Sequence, residues 1–225
     1  MRIGGVQKLS LIDYPDRLSA VVWTVGCNLR CPYCYNHNLV NGSENIREEQ
    51  VISVLKNRKD VLEGLSVSGG EPTIQDDLPD FLRNVKEMDF LVKLDTNGTR
   101  PKVLSYLIDD HLVDYIAMDV KAPRDMYDEV AGKKVDISSI SRSLELIKSS
   151  GIPHEFRTTV VPGLLDEDAI EDISGWVGGE SRHILQQFKR KMSILDPDKI
   201  DGEPYPEYML EKWGEKYFEE FEVRF

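Results

Sequence analysis

Residues 25–37 read VGCNLRCPYCYNH and hold all three cysteines of the 225-residue chain, at spacing C-x3-C-x2-C. Thiolates gathered this way are ligands for a soft metal centre, because an odd number packed into eight positions cannot form the separated pairs of a disulfide framework. Inert buried thiols scatter through a core, whereas Cys27, Cys31 and Cys34 share a polar loop with Asn28, Arg30, Asn36 and Asn38. Three thiolates can hold zinc or an iron-sulfur cluster, and the fourth ligand separates the two. His37, at C-x2-H after Cys34, would close a Cys3His zinc site. A cluster on three cysteines instead leaves one iron open to a non-protein ligand. Four further loops carry groups suited to such a ligand: GGEP at 69–72, DTNG at 95–98, DVK at 119–121 and VPG at 161–163.

Those loops need elements to bring them together. LSAVVWTV (18–25) is a strand by its β-branched content, and REEQVISVLKNRKD follows as a helix with Val51, Val54 and Leu55 on one face. LSVS (65–68) predicts a second strand, and LPDFLRNVKEM its helix, with Leu78, Phe81, Leu82, Val85 and Met88 at helical spacing. FLVKL (90–94), VDYIAM (113–118), HEFRTTVV (154–161) and HILQQF (183–188) bring the strands to six. Pro101 suits a first helical turn, Ser138 or Ser139 can cap the helix that carries Ile140, Leu144 and Ile147, Gly151 can close it, and Asp166 can cap EDAIEDISGWV. Each unusual loop directly follows a strand. The C-terminal ends of parallel strands gather around one mouth in βα-repeat proteins, so the loops point to one pocket. The expectation is a single α/β domain over 1–225, with its core at about 18–188. Residues 189–225 form an acidic, aromatic extension with an amphipathic helix around Tyr208 to Phe218.

Composition narrows the partners. Twenty-eight Lys and Arg against 40 Asp and Glu give a formal charge of -12, which repels phosphate backbones and anionic lipid, so nucleic acid is not expected as a partner. No stretch approaches the ~20 apolar residues that cross a bilayer, and the opening residues lack a secretory h-region, so a cytoplasmic protein without a membrane partner is expected. His37, His154 and Met118 read as structural by default. Trp176, Trp213, Tyr217, Phe218 and Phe221 read first as core or lid aromatics.

The C-x3-C-x2-C spacing with aromatic Tyr33 before the last cysteine, followed by Gly-Gly-Glu-Pro, resembles the radical S-adenosylmethionine superfamily. The wider set LSLIDYPDRLSAVVWTVGCNLRCPYCYN, VSGGEPTIQ, VKLDTNG, YIAMDVKAP and FRTTVVPG is similar to the glycyl-radical-enzyme activases, and among them to those that activate anaerobic ribonucleoside-triphosphate reductase. The likeness runs from about Leu9 to Phe188 and leaves 189–225 unmatched.

The resemblance implies a partial (β/α)6 TIM-like barrel with one 4Fe-4S cluster on Cys27, Cys31 and Cys34, and S-adenosylmethionine on the open iron. Reductive cleavage would yield methionine and a 5'-deoxyadenosyl radical, and the radical would take hydrogen from a backbone glycine of a partner enzyme. An electron donor such as ferredoxin or flavodoxin would reduce the cluster. By the same resemblance Tyr33 meets the cofactor, Gly69 and Gly70 let backbone approach the methionine moiety, and Glu71 meets its ammonium. Asp95, Thr96 and Asn97 form a ribose and methionine contact region. Lys121 neutralises the cofactor carboxylate or a nearby aspartate, Arg157 contacts the cofactor, and Asp95 with Asp119 holds a monovalent cation. Some activases carry a ferredoxin-like insert with more cysteines; this chain has ligands for one cluster, which leaves the partner's identity open. The alternative within the same chemistry is a small-molecule enzyme like the 7-carboxy-7-deazaguanine synthases. From another class, a zinc or electron-transfer module would leave the GGEP and DTNG loops without a purpose.

Overall fold

Eight strands lie in one sheet in the order of the chain: β1 (Ile3–Ser10), β2 (Ser19–Thr24), β3 (Gly64–Gly69), β4 (Leu91–Thr96), β5 (Tyr115–Asp119), β6 (His154–Val160), β7 (His183–Gln187) and β8 (Phe221–Arg224). The structure is a computed structural model that describes residues 1–43, 45–190 and 193–225. All neighbours are parallel except β1, which runs antiparallel to β2. A doubly wound sheet would reverse its strand order at some point. Here it never reverses, every crossover adds the next strand on the same side, and the sheet curls as an α/β barrel does. β1 and β8 do not pair, so the arc stays open: a partial barrel.

The helices cover its outer face by burying one apolar stripe each. In α3 (Leu78–Lys86), Leu78, Phe81, Leu82 and Val85 are all fully buried, against Val67 and Leu94 among others in one continuous core. α1 (His37–Val40), α2 (Glu48–Lys56), α4 (Pro101–Asp109), α5 (Tyr127–Val130), α6 (Ile137–Ser149), α7 (Glu167–Val177) and α8 (Glu207–Tyr217) complete the set among the described residues. Pro101 opens α4 as expected, and Asp166 caps α7 by accepting from Ala169 N–H. Asp136, not Ser138 or Ser139, caps α6. Its carboxylate accepts from Ser138 N–H at 3.1 Å and from both serine hydroxyls, an ionised acceptor outbidding neutral ones. No described helix is long and apolar enough to cross a membrane.

Two strands lie beyond the expected six. β1 carries paired glycines directly after Ile3 and keeps most of its residues outside the core, so it lacks the β-branched run of a central strand. β8 has four residues, two of them charged, and joins because Arg224 pairs with Glu155, a carboxylate on β6 with no exposed surface. Residues beyond the expected core thus supply α8 and the last strand of the same sheet.

Candidate active site

Loops at the C-terminal ends of β2 to β6 enclose a cavity of about 260 Å³. Its wall holds Cys27, Cys31, Tyr33 and Cys34 after β2; Gly69, Gly70 and Glu71 at β3; Asp95, Thr96 and Asn97 at β4; Asp119 and Lys121 at β5; and Arg157 on β6. Every residue given an individual role in the site therefore lines one space, whereas the VPG loop at 161–163, expected at the same pocket, does not line it. Ser68, Tyr35, Thr159 and Gln186 line it too and were not expected; Ser68, Thr159 and Gln186 are the residues whose strand alternation puts them on the face of Asp95 and Arg157.

The glycines have a task in the fold itself. A Cβ on Gly70 would stand 1.9 Å from Gly26 O, and one on Gly69, whose φ is +117°, would stand 2.2 Å from Thr24 N. What approaches these glycines on that side is the backbone of the cysteine loop, fastened by Gly70 N–H to Thr24 O at 2.9 Å and Glu71 N–H to Gly26 O at 2.8 Å.

Glu71 is a brace within the fold. Its side chain is 1% exposed, and its two oxygens accept from Thr73 N–H and Oγ1–H, Thr96 Oγ1–H at 2.8 Å and Asn97 N–H at 2.7 Å. A carboxylate has about four acceptor positions. Three of these donors reach Oε1 and one reaches Oε2, so Glu71 binds the GGEP turn to the DTNG turn and keeps an acceptor position on Oε2. Burial pushes its carboxyl above the usual range, against the pull of those donors. Asn97 Nδ2–H donates to Asn28 Oδ1 at 2.9 Å, and Asn28 Nδ2–H to Thr99 Oγ1 at 2.7 Å, which ties the DTNG turn to the cysteine loop.

Charge dominates the opposite wall. Arg157 Nε–H donates to Asp119 Oδ1 at 2.9 Å, and its Nη1 lies 3.4 Å from Asp95 Oδ1. Lys121 Nζ is 3.2 Å from Asp119 Oδ2. Asp95 and Asp119 therefore share the guanidinium of Arg157, which stands where a monovalent cation was expected. Burial alone would raise both carboxyls; Arg157 first, with Lys121, holds Asp119 at about 2, and Arg157 with Lys93 holds Asp95 below the ordinary value. Lys93 was missed in the sequence, although a lone lysine inside FLVKL, two positions before Asp95, is the signal that marks it.

The donor set fits an iron-sulfur centre. Three soft thiols face one cavity, and Leu29 N–H donates to Cys27 Sγ at 3.4 Å, the kind of amide contact that supports a ligating sulfur. Burial raises all three thiols, while the nearby ammonium of Lys121 pulls them down. Ligation needs the thiolate, so that cation favours the binding form. His37 is turned to Ser193, with Nε2 3.0 Å from its hydroxyl oxygen, and does not line the cavity. His154 Nδ1 lies 2.8 Å from Ile152 O and Met118 packs against Gly98; both are structural, as expected.

A model of the radical SAM superfamily matches residues 21–174. The chain is 38% identical over 231 aligned residues to a Methanocaldococcus jannaschii protein that carries the name "putative glycyl-radical enzyme activating enzyme", covering 99% of this chain and 95% of that one. It is 28% identical over 177 residues to the pyruvate formate-lyase-activating enzyme of Clostridium pasteurianum, covering 73% and 71%. Among solved structures, Streptococcus suis SuiB bound to S-adenosylmethionine superposes with a TM-score of 0.64 at 16% identity, over 89% of this chain. The chain spans 48% of that protein's length.

Proposed function

The chain belongs to the radical S-adenosylmethionine superfamily, whose members use a 4Fe-4S cluster and S-adenosylmethionine, and from that membership we propose that it activates a glycyl-radical enzyme, namely an anaerobic ribonucleoside-triphosphate reductase. The observation that carries this reading is one cavity walled by the three cysteines and the GGEP, DTNG and DVK turns, in a chain matched from end to end by a relative named for such activation.

Cys27, Cys31 and Cys34 are the proposed cluster ligands. When bound, cluster and cofactor together supply a one-electron cleavage that yields methionine and a 5'-deoxyadenosyl radical. The chain's own contribution is positioning. The backbone at Gly69 and Gly70, with Tyr33, Thr96 and Asn97, shapes the wall against which the cofactor lies. Asp119 foremost keeps the Lys121 ammonium protonated despite the cost of burial, so positive charge stays beside the sulfurs and any entering carboxylate. Arg157 keeps Asp95 and Asp119 fixed. Exposed Asn36 on the cavity wall marks its way to solvent, where an extended loop of a partner would enter. A ferredoxin or flavodoxin is the proposed electron donor, in the cytoplasm.

The test combines the anaerobically reconstituted protein, reductant, S-adenosylmethionine and a cognate anaerobic ribonucleoside-triphosphate reductase. A glycine-centred EPR doublet and 5'-deoxyadenosine are expected, and the doublet should collapse when the partner's glycine is deuterated at Cα. Deoxyadenosine formed with a small molecule, and no doublet with any co-encoded glycyl-radical enzyme, would overturn the reading.

A further inference from the structure

Lys93 lies on the inner face of β4, two residues before Asp95, and its side chain is 3% exposed. An ammonium this deep is tolerated only against a carboxylate. Its Nζ meets Asp95 Oδ1, the oxygen that Arg157 Nη1 also approaches, and Arg157 and Lys121 in turn flank Asp119. Two carboxylates and three cations thus form an unbroken chain across β4, β5 and β6. Lys93 is the one member of that chain outside the cavity wall. The wall itself carries Glu71, Asp95 and Asp119 against Lys121 and Arg157, one negative charge in excess, and ligating thiolates would add more. Beside Lys93 in register on β3 is Ser66, whose hydroxyl is buried and makes no hydrogen bond.

The geometry points to Lys93 as the resident counter-ion of the site. It is a positioning residue that neutralises Asp95 from beneath, leaves Arg157 bonded to Asp119, and removes any need for a dissociable cation between the two aspartates. Asp95 Oδ1 and the idle Ser66 hydroxyl are hard oxygen donors, so deleting the ammonium but not the pocket leaves a place suited to a small monovalent ion. Lys93→Ala opens that space, whereas Lys93→Met removes the charge and keeps the space filled.

The inference rests on the cofactor reading above for one measurement and stands free of it for the other. The first is S-adenosylmethionine affinity of the reconstituted full chain in potassium, sodium and tetramethylammonium chloride at equal ionic strength. The second is the thermal midpoint of the full chain in the same salts, which involves neither cofactor nor partner. Wild type should differ by less than about twofold in affinity among the salts, and not at all in midpoint. Lys93→Ala should bind roughly tenfold or more weakly in tetramethylammonium, the loss of a charge-assisted contact, and recover most of that in potassium or sodium, with its midpoint rising in parallel. Lys93→Met should be weak in every salt. A wild type that itself needs potassium or sodium, an alanine variant equally weak in all three salts, or a methionine variant with wild-type affinity would each overturn the assignment. The wild-type and methionine arms keep it testable if the alanine variant does not fold. Should S-adenosylmethionine fail to bind wild type at all, the cofactor reading fails, and the midpoints still decide the role of Lys93.

Discussion

The two walls of the cavity are built by different physics. On the β2–β4 side the GGEP turn bonds the cysteine loop backbone to backbone, and the DTNG turn joins them through Asn97 with Asn28 and through the amide and hydroxyl donors that converge on Glu71. On the β5–β6 side the elements are joined by ions, Arg157 between two aspartates and Lys121 on one of them, and Glu155 lower on the same strand face is held by Arg224 of β8. Short-range contact geometry decides the first wall. Charge balance decides the second, so a substitution there is felt by partners two strands away.

The largest effect should come from the first wall's proposed cluster ligands. Replacing Cys27, Cys31 or Cys34 with Ala should abolish the proposed cluster, read as loss of iron, sulfide and visible absorbance after anaerobic reconstitution; a full complement in any of the three would remove that cysteine from the ligand set. Next is Arg224→Met on the second wall. It leaves the fully buried Glu155 with only Tyr115 O–H, at 3.2 Å, and should cost roughly 2–4 kcal/mol, less than for a fully buried pair because Arg224 is partly exposed. Adding Glu155→Leu should recover much of that loss, and a double variant no better than the single one would show that the two residues are not coupled.

Gly70→Ala tests the first wall's tight approach. Its methyl has nowhere to go beside Gly26 O, and a loss of about 1–3 kcal/mol in urea unfolding is expected, together with poorer cluster uptake. Wild-type stability would mean that the loops separate freely.

The smallest effects should be opposite in sign on the two walls. Asp119 is depressed to about 2, chiefly by Arg157 once burial is overcome, so its contribution is present above the unfolded value of 3.8 and is lost as pH falls toward 2. Glu71 is raised by burial, so the folded form binds its proton more tightly and stability falls as pH rises from 4.5 through the folded value. Asp119→Asn should flatten the stability profile below pH 3.8, and Glu71→Gln just above 4.5, in denaturant midpoints of the cluster-free chain. Matching slopes in both windows would erase the contrast between the walls.

Much of this arrangement is legible in the sequence, and the illegible parts have definite causes. The six central strands announce themselves by β-branched runs, and their observed limits differ from the expected ones by a residue or two, as at Ser19–Thr24 against 18–25. β1 and β8 escape because both are part-polar edge strands, β8 short as well, and only pairing in space makes them strands. The loops that form the site are read from residue type, yet the partners of each group are not. Glu71 looks like a free carboxylate until four donors are found around it, and Asp95 and Asp119 look like a cation site until Arg157 is seen between them. Lys93 stands in plain view in FLVKL, but its use depends on β6 arriving beside β4 and β5.

Strand order that follows chain order has a consequence for how the molecule is made. During synthesis each new strand finds its neighbour already waiting, with no gap to be filled later. The cysteine loop, the GGEP turn and the DTNG turn can close on one another once β4 has emerged with Lys93 beside Asp95, while the bridge from Asp95 to Asp119 waits for Arg157 and Glu155 waits for Arg224. Strand order alone thus lets the thiol pocket and its Lys93–Asp95 pair assemble before the ionic bridges between β4, β5 and β6, with the arginine of the last strand over the buried glutamate as the final link.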